Sequence, residues 1–148
     1  AGAQRPDDVR AYIDEVYRLA PAVGLDPALV VAQSALETGW WRSAAWTDHL
    51  NPAGLGITGP DAASPDWASG ADAARAQIVH LYLYAVGDIP ADGPLAGFVR
   101  LDPRYEIARD AGRAGSAPTL AALAGRWATD PAYADSIARV ARELFGDG

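Results

Sequence analysis

A mainly α-helical fold, formed as one domain over residues 1–148 with at most a very short β element, is predicted by three features of this chain. Apolar residues recur at helical spacing in several separate stretches, and helix-start signals precede most of them. No segment sustains two-residue alternation, so a sizeable sheet is not expected.

The elements follow in order. Asp7 or Asp8, after Pro6, is placed to cap a helix with Val9, Ile13, Val16, Tyr17 and Ala20 on one stripe, and Gly24 to stop it. Asp26 and Pro27 supply the N-cap and first position of a second helix. Its run from Ala28 to Leu36 is apolar on almost every face, which predicts a central, buried helix ended by Gly39. Residues 40–70 are the least regular stretch, with Trp40, Trp41, Trp46 and Trp67 among several Gly, Pro and Asp. Within it, Gly54 to Thr58 reads as a short extended piece or as a turn. Ser69 to Asp72 resembles a capping box and opens a helix with Ala74, Ile78, Leu81 and Ala85 on one side. Residues 88–94 break that helix. Short helices are expected over 94–100, 103–111 and 118–127. Thr129-Asp130-Pro131 then caps a last helix, with Tyr133, Ile137, Val140 and Leu144 as its core face and Gly146 as its stop.

Composition narrows the chemistry. Half of the 148 residues are apolar, enough for a proper core. A net charge of −7, with no Lys/Arg cluster, argues against a nucleic-acid partner. There is no cysteine, hence no disulfide, thiolate nucleophile or Cys-based zinc site. His49 and His80 lie far apart and outside any His-x-x-x-His pattern, so neither a metal nor another cofactor is expected. No run approaches the ~18 apolar residues of a membrane span. The chain begins at Ala1 without Met, which fits a processed form or a piece of something longer. Hydrolytic chemistry would have to rest on carboxylates, hydroxyls or tyrosines.

Glu37 is the most informative of these. It ends the apolar helix, in Ser34-Ala-Leu-Glu37-Thr-Gly-Trp40-Trp41, sharing a helical face with Gln33, Ser34 and Val30. A carboxyl there is costly unless paired, hydrogen-bonded or protonated, and desolvation moves its pKa toward that of a general acid. The plainer alternative is a solvated glutamate at a helix end, paired with Arg42. Trp40 and Trp41 offer faces on which sugar rings stack. Fourteen residues beyond Glu37 begins Asn51-Pro-Ala-Gly54-Leu55-Gly56-Ile57-Thr58, in which the glycines permit a sharp turn or close approach to a ligand. The Asn51 amide can both donate to and accept from a sugar. By itself, such a loop is usually only a turn. A third segment, Trp127-Ala-Thr-Asp-Pro-Ala-Tyr133, reads as helix capping with Tyr133 packing into the core, in a first turn from which its hydroxyl could reach a site.

Taken in this order and spacing, the three segments resemble the glucosaminidase domains of glycoside hydrolase family 73, the flagellar- and autolysin-type endo-β-N-acetylglucosaminidases. Those domains carry an Ala-x-x-Glu-[Ser/Thr]-Gly-Trp helix end, an Asn-x-x-Gly-type loop and a [Tyr/Trp]-Ala-Thr-Asp-Pro-x-Tyr segment. The likeness spans about residues 9–145. It implies a lysozyme-like fold that cuts the β-1,4 bond between N-acetylglucosamine and N-acetylmuramic acid in peptidoglycan. Glu37 matches the general acid and Tyr133 the active-site tyrosine; Gly54, Leu55, Gly56 and Ile57 match the loop lining the cleft. Trp40, Asn51 and Trp127 join these as candidate substrate contacts.

One departure stands out. The family usually places a second acidic residue in a β-hairpin lobe, and here that region is short with no evident hairpin. Asp48, Asp61 and Asp66 are the available carboxylates, with Asp66 favoured among them because Trp67 adjoins it, although a solvated loop aspartate is the plainer reading of each. Without a clear second carboxylate, a route assisted by the substrate's own 2-acetamido group becomes attractive. Two rivals remain: a lysozyme-like muramidase or lytic transglycosylase, and a non-catalytic glycan-binding module. The expected partner is peptidoglycan, with no nucleic acid and no membrane span, and the protein is expected to act as a monomer, secreted or at the cell envelope.

Overall fold

In the computed structural model, which describes residues 2–123, 127, 128 and 130–146, the expected mainly helical architecture is present. Among the described residues there is no sheet; Ala128 is a lone bridge residue. The longer helices are α1 (Pro6–Leu19), α2 (Pro27–Glu37), α4 (Gly70–Ala85) and α6 (Tyr133–Phe145). Two short ones, α3 (Ala44–His49) and α5 (Tyr105–Asp110), sit between them. Short 3-10 turns occupy Pro21–Val23, Ala96–Leu101 and Ala121–Leu123. The arrangement is that of a small all-α, lysozyme-like domain.

Helix α2 is the central one. Asp26 caps it by accepting from the Ala28 N–H at 2.9 Å, with Pro27 in the first position as the sequence predicts. Every residue from Val30 to Ala35 is buried, so helix α2 is surrounded by protein. Its main partner is α6, while α1 packs on α4. Ser69 caps α4 through the Asp72 N–H at 3.1 Å, as the capping-box reading requires. The α1–α4 contact is unusually close because α4 starts with a glycine. A Cβ on Gly70 would lie 1.9 Å from the Asp8 carbonyl oxygen and 3.0 Å from the Tyr12 nitrogen. The Gly70 N–H meanwhile donates to the Asp8 carboxylate at 3.1 Å.

Several boundaries differ from the sequence expectation. Pro6 itself is the first residue of α1, so Asp7 and Asp8 lie in its first turn rather than at its cap. Their charges still suit the positive end of the helix dipole. Helix α1 stops at Leu19, before the 3-10 turn at Pro21; Gly24, at φ 81°, ends that turn. Helix α3 falls in the stretch read as irregular. It is short, and Ser43 caps it through the Trp46 N–H at 3.3 Å. Of the expected 118–127 helix the described part is the turn at Ala121–Leu123. Helix α6 begins at Tyr133, not directly after Thr129-Asp130-Pro131. Asp130 instead closes the preceding turn, accepting from the Ala132 N–H at 2.9 Å, and Thr129 lies outside the described residues.

Residues between α2 and α4 are held to α1 by aromatic packing. Trp46 is fully buried, meets the Tyr12 ring edge-on at 6.1 Å and donates from its indole to the Gln4 carbonyl at 2.9 Å. Trp41 leans on the same tyrosine at 6.3 Å. Such pairs are each worth about 0.5–1.5 kcal/mol beyond area burial.

Gly70→Ala should destabilise the fold by at least about 2 kcal/mol, because the added methyl meets main-chain atoms that have no room to move. Urea denaturation followed by circular dichroism checks this; a change within about 0.5 kcal/mol, the scatter of surface substitutions, would contradict the close contact.

Candidate functional site

Glu37 closes α2 and is half-buried. Burial is the main cause that raises its pKa above the ordinary carboxylate range, and a hydrogen bond from the Tyr133 hydroxyl partly offsets that rise. The sequence placed these two residues 96 positions apart (133 − 37), and α2 packing on α6 brings them together. Burial and the Glu37 carboxylate in turn push the Tyr133 hydroxyl pKa up, so it stays protonated and donates.

Behind Tyr133 runs a buried chain of hydrogen bonds with a fixed direction. Tyr12 donates to Gln77 Oε1 at 2.5 Å, and Gln77 Nε2 donates to Gln33 Oε1 at 2.9 Å. Gln33 Nε2 then donates to the Tyr133 oxygen at 2.9 Å. The direction is set by a main-chain group. Gln77 Nε2 also faces the Val30 carbonyl at 3.0 Å, and a carbonyl can only accept. Once Gln77 points its NH₂ there, Gln33 must present oxygen to Gln77 and nitrogen to Tyr133, which leaves the Tyr133 proton for Glu37.

The turn after α2 is the most strained segment of the backbone. Gly39, Trp40 and Trp41 are left-handed in succession, at φ 56°, 62° and 59°. Left-handed tryptophans cost of order 1–3 kcal/mol each and persist only when neighbours over-determine them. Here Trp40 N–H reaches the Ala35 carbonyl at 2.7 Å and Trp41 N–H the Thr38 hydroxyl at 2.8 Å. The Trp41 indole donates to Ser34 Oγ at 3.0 Å.

The Asn51–Thr58 segment is a turn, closed from Ile57 N–H to the Gly54 carbonyl at 3.3 Å. Gly54 and Gly56 are left-handed at φ 67° and 71°, and a Cβ on Gly56 would come within 2.7 Å of Pro65 Cγ. Gly54 lies over the acid: a Cβ built on it would be 3.9 Å from Glu37 Oε2. The same Gly54, with Leu55, Gly56, Ile57 and Trp127, lines a cleft of about 370 Å³. Glu37 is not part of that lining; it sits next to the cleft, beneath Gly54.

Other candidates are placed differently. Asn51, expected as a sugar contact, is 0 % exposed. Its Nδ2 donates to the Leu55 carbonyl and to Ser64 Oγ, each at 2.9 Å, and its Oδ1 accepts from the Ala53 and Leu55 N–H groups. With its bonding capacity used inside the loop, Asn51 shapes the turn. Asp66 has 76 % of its side chain exposed and is bound to His49 Nδ1 at 2.5 Å. It lines a separate groove with Trp67, Arg100 and Pro103, away from the Gly54–Ile57 cleft. Trp40 lies in a third groove with Ala3, Arg42 and Leu144.

Sequence reasoning passed over the other side of the cleft: His80 and Tyr84 from α4, with Arg104 and Arg113. His80 Nδ1 is held by the fully buried Asp102 carboxylate at 2.6 Å. Its ring packs edge-on against Trp127 at 4.9 Å. A histidine within the largely apolar α4 was the available signal, but its partner is 22 residues away in sequence. No group of three or more metal-ligating side chains gathers among the described residues.

A helix-end carboxyl kept basic by burial, fixed by a tyrosine and set beside an aromatic cleft is suited to protonating a leaving group. The family model for mannosyl-glycoprotein endo-beta-N-acetylglucosaminidase, the glucosaminidase family, matches residues 13–145. This chain belongs to the glucosaminidase family. It is therefore a glycoside hydrolase, with peptidoglycan glycan as the general class of substrate. No curated protein and no solved structure matches it significantly. No helix among the described residues is long and apolar enough to cross a membrane.

Two measurements probe Glu37 in this glucosaminidase domain. Tyr133→Phe removes the bond that lowers the Glu37 pKa, so carboxyl-carbon NMR should show Glu37 titrating at higher pH than in the wild type. A downward or absent shift would disprove the contact. Glu37→Gln should raise thermal stability at neutral pH. The folded pKa of Glu37 is raised, so its favourable contribution is present below the unfolded carboxyl pKa of about 4.3 and lost as pH rises through the folded value. The melting-temperature gap between variant and wild type should open from about pH 4 upward; a gap independent of pH would refute this account.

Proposed function

We propose that this domain is an endo-β-N-acetylglucosaminidase that cleaves the β-1,4 bond between N-acetylglucosamine and N-acetylmuramic acid, with Glu37 as the general acid. The observation that carries the reading is the Glu37–Tyr133 pair, held by the Gln77–Gln33 chain beside the Gly54 turn. Glu37, whose pKa burial raises, donates its proton to the glycosidic oxygen as the bond to the anomeric carbon breaks. Tyr133 positions the carboxyl and stabilises the carboxylate that remains.

Among the described residues no carboxylate lines the cleft, and Asp66 is exposed and paired with His49. This favours assistance by the substrate. The 2-acetamido oxygen attacks the anomeric carbon as the leaving oxygen departs, forming a cyclic oxazolinium. Water, deprotonated by the Glu37 carboxylate, then opens the ring, and the configuration is retained. Action on a wall polymer places the protein outside the membrane or at the envelope.

The test is digestion of purified peptidoglycan by wild type and Glu37→Gln, with reduced products read by mass spectrometry. Reducing N-acetylglucosamine ends, falling at least about 100-fold with the variant as expected for loss of a general acid, support the proposal. Reducing muramic acid ends would make it a muramidase, and 1,6-anhydro ends a transglycosylase. Strands bound but uncut by both proteins would mark a binding module.

A further inference from the structure

We infer that the cleft beside Glu37 contains an anion subsite, formed by Arg104 and Arg113 with His80, that receives a carboxylate of a peptide-substituted glycan. This rests on the reading of the substrate as peptidoglycan and adds what distinguishes it from a neutral N-acetylglucosamine polymer. The first observation is the sign of the lining. In a chain of net charge −7, the described residues of this cleft include Arg104, Arg113 and His80 but no Asp or Glu.

A second observation is that neither guanidinium faces a carboxylate among the described residues. Arg5, Arg10, Arg18, Arg75, Arg109 and Arg139 each face a carboxylate. Arg104 and Arg113, like Arg42, Arg100 and Arg142, have no such partner among the described residues, but these two share one cleft, where both act on the Tyr84 hydroxyl. Asp102 does not neutralise them. One of its oxygens holds His80 Nδ1 and the other accepts from the main-chain N–H of Arg104 at 2.9 Å. That arrangement fixes the His80 ring and leaves its Nε2 without a hydrogen-bond partner among the described residues.

Unpaired arginines in a concave wall match a carboxylate in shape as well as charge, since the planar fork can donate two bonds at once. A patch of this sign also offsets, where the strand must lie, the repulsion between an acidic domain and an anionic polymer. Two sources of carboxylate are available in such a substrate: the stem peptide, and the lactyl group of muramic acid when the peptide has been removed.

Binding to the Glu37→Gln variant, measured by calorimetry, separates this subsite from the hydrolytic reading. Three ligands of equal length are compared: peptide-bearing strands, the same strands after amidase treatment, and neutral N-acetylglucosamine oligomers. The anionic strands should bind more tightly than the neutral oligomers, with the preference weakening as salt is raised. Adding Arg104→Gln and Arg113→Gln should cut that preference about tenfold, equivalent to about 1.4 kcal/mol. Preference lost on amidase treatment assigns the peptide carboxylate; preference kept assigns the lactyl one. The paired Arg104→Lys and Arg113→Lys variant keeps the charge and should retain most of the preference. Equal binding of anionic and neutral ligands by the parent, or equal weakening of both by the glutamine pair, would overturn the subsite. Wild-type digestion that cuts another bond counts against the glucosaminidase proposal and leaves these binding outcomes unchanged.

Discussion

The Val30 carbonyl, buried inside the central helix, has an effect well beyond its own turn. As an acceptor that can never donate, it orients Gln77, which orients Gln33, which leaves the Tyr133 proton for Glu37. The same run of bonds joins α1 through Tyr12, α4 through Gln77, α2 through Gln33 and α6 through Tyr133. In a low-dielectric interior each bond polarises the next, and an unmade one costs about 1–3 kcal/mol. The chain therefore acts as a register pin for four helices and as a support for the acid, and loss of any member would be felt in both respects.

Around that pin, the cleft is shaped by backbone conformations that its own side chains stabilise. Asn51 spends its whole amide inside the loop that carries the Gly54–Ile57 turn, while Thr38 and Ser34 hold the left-handed Trp41 and the Ala35 carbonyl holds Trp40. Strain and buried polarity collect next to Glu37 because a carboxyl with a raised pKa needs a dry, rigid setting. The opposite side of the cleft uses a different device, with buried Asp102 aiming His80 into a stack with Trp127 and Tyr84. A net acidic chain thus presents a locally cationic and aromatic surface where its substrate would lie.

What could be read from residue order was what local physics controls. Asp26-Pro27 and Ser69 set helix starts because a cap acts on N–H groups two or three residues ahead. The apolar run of α2 announced burial, and a glutamate at its end announced a perturbed carboxyl, since both follow from short-range periodicity. Weak signals failed where competing local bonds were close in energy. Helix α3 escaped notice because six residues carry little pattern, and the start of α6 slipped because Asp130 closes a turn instead of capping.

Sequence by itself therefore determined a mainly helical chain, its central helix and its one conspicuous acid, while Gly54–Thr58 stayed open between an extended piece and a turn until the structure closed it. The motif likeness singled out Tyr133 as well, but only packing put its hydroxyl on Glu37, 96 positions away (133 − 37). Tertiary structure also turned Asn51 inward, sent Asp66 to another groove, and assembled His80, Asp102, Arg104 and Arg113 beside Trp127. The physical reason is range. Capping and periodicity act within a turn of the backbone, whereas hydrogen-bond direction and charge pairing depend on which distant groups the packed helices bring to within a few ångströms.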